Sequence, residues 1–111
     1  MKKLIVVCLL FVFVLGGVFA QQRLRNGTFN ATAEGYIGPI TVAVTIARNR
    51  ISRIEVTKHQ ETPAFAMMVF DTMIPAMVRA NSAEVDKVSG ATVTSKALIE
   101  AVQDALRQAR Q

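Results

Sequence analysis

Two hydrophobic rhythms divide the chain. From Leu4 to Ala20 the run is apolar and carries no charge, with only Cys8, Gly16 and Gly17 breaking the series of large side chains. Beyond it the pattern turns to alternation. Thr28-Phe29-Asn30-Ala31-Thr32-Ala33-Glu34 places polar and apolar residues in turn, the period of a half-buried strand. Thr41 to Ala47 alternates again, with Val42, Val44 and Ile46 on one face, and Ile51 to Thr57 reads as a third strand. Gly35-Tyr36-Ile37-Gly38-Pro39 supplies the first connection and Asn49-Arg50 the second. Three strands with short links predict an antiparallel meander with one buried and one wet face.

The period then lengthens. Thr62-Pro63 reads as a helix start, with Thr62 as N-cap and Pro63 at the first helical position. Residues 64–80 are apolar almost all round. Pro75 lacks a donor and clashes with the preceding turn, which predicts two short helices, or one kinked helix, meeting near Asp71-Thr72. Val85-Asp86 reads as a short strand, and a loop spans Lys87 to Ala91. From about Thr94 to Arg110, Leu98, Ala101, Val102, Ala105, Leu106 and Ala109 recur at three and four, an amphipathic helix with cations in its last turn. The fold class that follows is α+β: a single domain with an antiparallel sheet of three to five strands and helices packed on one side.

A length of 111 residues holds one small domain and excludes a multi-domain enzyme. Met1-Lys2-Lys3, the apolar run and Val18-Phe19-Ala20 have the form of a signal peptide cleaved after Ala20. That divides the chain into a leader, 1–20, and a domain, 21–111. The competing reading is an uncleaved membrane anchor through residues 4–20, a run short for a bilayer span of about 20 residues. Both place the domain outside the cytoplasm, in the periplasm or beyond. Cys8 leaves with a cleaved leader, and no other cysteine exists to form a disulfide, a thiolate metal site or a nucleophile. Beyond Lys2 and Lys3 there are 11 basic and 8 acidic residues, an excess of +3 scattered along the sequence. Such a distribution argues against nucleic acid, which requires clustered Lys and Arg.

Candidate chemistry concentrates in Asp86-Lys87-Val88-Ser89-Gly90-Ala91-Thr92-Val93-Thr94-Ser95, just ahead of the last helix. A helix N-terminus presents unpaired N–H groups and partial positive charge, so it suits a phosphate. Gly90 allows close backbone approach, and Ser89, Thr92, Thr94 and Ser95 supply hydroxyls. On chemistry alone, an ordinary Ser/Thr-capped helix start is favoured over a phosphate site.

Asp86-x-x-Ser89-Gly90-Ala91-Thr92 resembles the flavinylation motif of the FMN-binding domain family. That family includes the C subunit of the sodium-translocating NADH:quinone reductase, the G subunit of the Rnf complex and small secreted members. Asn26-Gly27-Thr28-Phe29, Glu34-Gly35-Tyr36, Gly38-Pro39-Ile40, Ile51-Ser52-Arg53-Ile54 and His59-Gln60-Glu61-Thr62-Pro63 resemble further blocks of that family, in its order. The last block departs from it in continuing with Ala64-Phe65 where a Gly is common. The resemblance implies FMN as cofactor, attached through a phosphoester to Thr92 by a flavin transferase that uses FAD and magnesium. Asp86, Ser89, Gly90 and Ala91 would be read by the transferase or shape the phosphate pocket. Thr94 and Ser95 would cap the helix or contact phosphate, and His59, Glu61 and Thr62 would border the flavin. The implied function is an extracytoplasmic electron-transfer module with a redox partner protein or membrane complex. One alternative is the flavin-carrying component of a multi-protein reductase. Another is a secreted binding module without flavin.

The remaining candidates have plainer readings. His59, the single His, reads as a hydrogen-bonded surface residue before a flavin contact, and Glu61 as an acid in a first helical turn. No second His and no paired carboxylates point to a metal, and no residue reads as catalytic. Met67, Met68, Met73 and Met77 at helical spacing read as core. Tyr36 and Phe65 read as core or as faces for the ring. Arg48, Arg50, Arg53 and Lys58 read as one solvated sheet edge or face, or a docking patch for an acidic partner.

Overall fold

The computed structural model describes residues 23–110, so the leader, its cleavage after Ala20, the anchor reading and Cys8 lie outside the described residues. Three strands, β1 (Gly27–Glu34), β2 (Pro39–Ala47) and β3 (Arg50–Lys58), form one antiparallel sheet in the order β1-β2-β3. Two helices follow, α1 (Pro63–Ala80) and α2 (Thr92–Ala109). The fold is the expected single α+β domain.

Alternation in β2 drives the layering. Ile40, Val42, Val44 and Ile46 are all but fully buried on one face. The register sets Ala31 beside Val42 and Ile54 beside Val44 on that same face. The opposite face is polar, with hydroxyl pairs Thr28–Thr45 at 3.2 Å and Thr32–Thr41 at 2.9 Å. In β3 the apolar spacing breaks, since Ile51 and Ile54 are three apart and yet both buried. Register shifts between Thr45 and Ile46, and between Thr41 and Val42, absorb the extra residues Ser52 and Thr57. Each extra residue turns its hydroxyl onto a carbonyl of β2, Ser52 to Thr45 at 3.1 Å and Thr57 to Thr41 at 3.3 Å.

The β2–β3 turn lies one residue earlier than the sequence pattern predicts. Arg48 and Asn49 occupy it, both left-handed with φ of 56° and 63°, and Arg50 already pairs with Ala47. This is the backbone that a right-handed sheet twist favours in a two-residue hairpin. The N-terminal segment secures the turn: the Leu24 N–H donates to Asn49 Oδ1 at 2.7 Å, and the Arg48 N–H to Asn26 Oδ1 at 3.1 Å.

Helix α1 runs unbroken from Pro63 to Ala80 with Pro75 inside, which overturns the reading as two short helices and agrees with the alternative of a single helix. Asp71, Thr72 and Pro75 all face solvent, so water can bond the carbonyl that Pro75 leaves without a partner. Ala66, Val69, Met73 and Met77 form its buried stripe, whereas Met67 and Met68 are 61% and 47% exposed. Only two of the four helical methionines are therefore core. Asn81 caps the helix in the left-handed conformation and accepts the Ile51 N–H at 2.7 Å, tying α1 to the start of β3. Val85-Asp86 is not a strand: it belongs to an irregular connection running up to α2.

Helix α2 is amphipathic as expected and starts at Thr92. Ala97, Ala101, Ala105 and Ala109, buried at every fourth position, let its backbone approach β1 and β2 closely. Leu98 and Val102 fill the space between.

Candidate functional site

The site is assembled at one end of the sheet, where the β1–β2 turn, the β3–α1 connection and the start of α2 converge. Glu61 holds them together. It is 4% exposed, and its Oε1 accepts the Tyr36 N–H at 2.6 Å and the Thr94 hydroxyl at 2.9 Å. Its Oε2 accepts the Ile37 N–H at 2.7 Å. Burial by itself would raise the carboxyl, but the amides of Ile37 and Tyr36, the Thr94 hydroxyl and the Gly38 amide outweigh it. They hold Glu61 below the ordinary carboxylate value of 4.5. The Glu61 N–H in turn donates to His59 Nδ1 at 3.1 Å, and the His59 ring stands edge-on to Phe70 at 5.4 Å.

Gly35 is needed because of this clasp. A Cβ there would lie 2.6 Å from Glu61 Oε1, 2.8 Å from the Gly38 carbonyl and 2.9 Å from Ile40 Cδ1. Only a residue without a side chain lets the turn close over the carboxylate.

Beside the clasp, Tyr36, Phe65, Gly90, Ala91, Thr92, Val93 and Thr94 line an open cleft of about 480 Å³. Thr92 is exposed at the first position of α2. The N-cap is Ala91, which has no side-chain acceptor to offer, and no acidic residue lies in the first turn. The leading N–H groups of α2 therefore have neither an intrahelical partner nor a side-chain cap, and the Glu61 carboxylate that reaches this turn bonds the Thr94 hydroxyl instead. Gly90, at φ 82°, turns the chain into the helix with open space around its Cα. The walls are apolar and uncovered: Tyr36 is 70%, Val93 50% and Phe65 39% exposed. Such a site suits a ligand with an anionic group at the helix end and a flat apolar body against Tyr36 and Phe65.

The structure brings only some of the sequence candidates into this cleft. Gly90, Ala91, Thr92 and Thr94 line it, together with Tyr36 and Phe65. Thr94 and Ser95 differ from the expectation that they cap the helix. Both are buried, with Thr94 spent on Glu61 and Ser95 Oγ accepting the Val88 N–H at 3.1 Å. Thr62 is the N-cap residue of α1, as expected, though its hydroxyl makes no capping bond. Ser89 is exposed in the loop. Asp86 lies further back along the connection, in a separate groove with Thr72, Arg79 and Val85. His59 and Glu61 do not line the cleft, though Glu61 bonds its wall residues Tyr36 and Thr94. The Glu61–Thr94 bond spans 33 residues, so local sequence offers no signal for it. The one available hint was the close pairing of Gly35 and Gly38, which marks a turn that must fit around something.

Comparison with known proteins agrees with this geometry. The sequence profile of the FMN-binding domain family matches residues 35–107. An uncharacterized protein of Treponema pallidum (strain Nichols) is 36% identical over 89 residues, 80% of this chain and 25% of that protein. The NADH:acrylate oxidoreductase of Vibrio harveyi is 27% identical over 84 residues, 76% of this chain and 8% of the enzyme. The urocanate reductase of Eggerthella lenta is 35% identical over 78 residues, 70% of this chain and 13% of the enzyme. The chain thus spans a quarter or less of the length of each of these relatives.

Proposed function

The chain belongs to the FMN-binding domain family, with FMN as its cofactor, and from that premise we propose that it carries FMN covalently on Thr92, outside the cytoplasm, as an electron-transfer module. The observation that carries this reading is the exposed Thr92 hydroxyl at an uncapped helix N-terminus, inside a cleft walled by Tyr36, Phe65 and Val93. Of the two threonines that line the cleft, Thr94 is already bonded to Glu61, and Thr92 is the one that closes the Asp86-to-Thr92 motif and stands exposed at the helix start.

Bound FMN supplies the redox chemistry, and the protein supplies position and surroundings. Thr92 Oγ fixes the phosphate end as its bond to phosphorus replaces the pyrophosphate bond of FAD. AMP leaves, and the hydroxyl proton passes to a base of the flavin transferase. The leading N–H groups of α2 and the helix dipole stabilise the phosphoester charge. Asp86, Ser89 and Gly90 are exposed on the approach that a transferase reads, and buried Ala91 sets the floor beside Thr92. Tyr36 and Phe65 shield one side of the cofactor from water. The open cleft leaves no room for a closed substrate chamber, which favours transfer to a second protein or domain. The reductase relatives, in which the matching segment is a small fraction of the enzyme, support a role as the flavin-carrying part of a larger system.

Co-expression with a flavin transferase and export of the full chain test the proposal. The expected product is heavier by one FMN less one water, and flavin fluorescence stays with its band on a denaturing gel. Thr92→Ala loses both while its circular dichroism is unchanged. An unmodified wild-type chain from that host, or a Thr92→Ala chain that still carries the mass, refutes the attachment.

A further inference from the structure

The basic residues are scattered in sequence and gathered in space. At the pole of the domain opposite Thr92, Leu24 bridges to Arg110, and the Arg25 N–H donates to the Ala109 carbonyl. The Arg48-Asn49 turn and the end of α1 at Asn81 meet the same pole. Arg23 and Arg25 enter there, Arg48 and Arg50 flank the turn, and Arg79, Arg107 and Arg110 end the two helices. Seven of the eight arginines in residues 23–110 thus lie at one pole, all of them exposed. Asp104, paired with Arg107 at 2.8 Å, and Glu84 lie among them, with Asp86 along the connection that leaves them. The rest of the described domain carries Arg53, Lys58, Lys87 and Lys96 against five carboxylates. The molecule is a charge dipole along α2, whose 18 residues span about 27 Å.

We propose that this arginine pole docks the domain on an anionic phospholipid surface, holding the Thr92 cleft away from the membrane. Clustering of like charge raises self-repulsion, and most of these guanidinium groups have no carboxylate beside them among the described residues. An anionic surface relieves that repulsion, at about 1 kcal/mol for each Arg near it, or about fivefold in partitioning. Lipid is favoured over other polyanions by chain continuity. The described chain enters at Arg23 in this pole, three residues after the apolar run Leu4 to Ala20, which the anchor reading keeps in the membrane. The inference does not depend on the flavin.

The test uses the full chain with Cys8→Ser and a polarity-sensitive dye on Ser82→Cys, at the arginine pole, or on Ala64→Cys, at the other. Vesicles of phosphatidylcholine, with or without phosphatidylglycerol, are added at low and high salt. Any contribution of the leader is common to all variants, so ratios are read. We expect phosphatidylglycerol to strengthen binding, salt to reverse it, and the dye at position 82 alone to shift. Arg50→Gln/Arg79→Gln/Arg110→Gln lowers the anionic excess on the order of a hundredfold. Lys58→Gln/Lys87→Gln/Lys96→Gln, with the same change in net charge, lowers it by no more than about fivefold. If the arginine triple variant loses its native circular dichroism, Arg110→Gln alone replaces it, with about a fivefold loss expected. No anionic excess, equal losses in the two triple variants, equal shifts of both dyes, or tighter binding to a duplex oligonucleotide at matched salt overturns the proposal.

Discussion

Replacing Glu61 by Gln separates the contribution of its charge from that of its shape. Gln fills the same space, but one carboxylate oxygen becomes an amide NH2. If the remaining oxygen stays on Tyr36 and Thr94, the amide faces the Ile37 N–H, and two donors oppose each other where a 2.7 Å bond had been. A hydrogen bond to a charged group contributes about 1.5–3 kcal/mol, and the two bonds that survive lose their charge assistance. The expected loss at pH 7 is about 3 kcal/mol, read from urea unfolding followed by far-UV circular dichroism. The pH dependence has a definite sign. The folded-state pKa of Glu61 lies below the ordinary 4.5, so its contribution is fully present above that value and is lost as pH falls through the folded pKa. The difference between wild type and Glu61→Gln must therefore shrink on acidification below about pH 4.5. A double-mutant cycle with Thr94→Val should give a coupling of about 1–2 kcal/mol. A loss below about 1 kcal/mol at pH 7, or a difference that stays constant into acid, would refute the account of Glu61 as a charged clasp.

Two further substitutions test the local geometry. Gly35→Ala drives a Cβ into the Glu61 carboxylate and a backbone carbonyl, for an expected cost of about 2–3 kcal/mol. Gly90→Ala meets open space and bears only the strain of its positive φ, about 1 kcal/mol. Thermal unfolding should rank the two in that order, and the reverse order contradicts the close approach at Gly35. Pro75→Ala restores an N–H to the solvent-side carbonyl of Asp71, and urea unfolding should show a gain of about 1–2 kcal/mol. A loss there would mean that the helix requires the proline.

Periodicity determined the strands and the last helix, because each has one face against a single apolar layer, and that repeat is written locally. The residues of β2 and the alanine stripe of α2 are legible in this way. The motif ending at Thr92 was legible too, since a loop feeding a helix is continuous in the chain. Pro75 left two helices and one helix both open, because a missing hydrogen bond is tolerated where water can replace it, and which side faces water is a tertiary fact. The extra residue Ser52 in β3 was hidden for a related reason: a bulge is defined against the partner strand. Three things came only from the folded molecule. Glu61 looks like a first-turn acid until Tyr36, Ile37 and Thr94 close around it. Thr94 and Ser95 look like free hydroxyls until packing turns them inward. The arginines look dispersed until antiparallel strands and two helices bring their ends to one pole. Local sequence fixes which face of an element is buried; only the path of the chain decides which ends meet, and charge acts through distance in space.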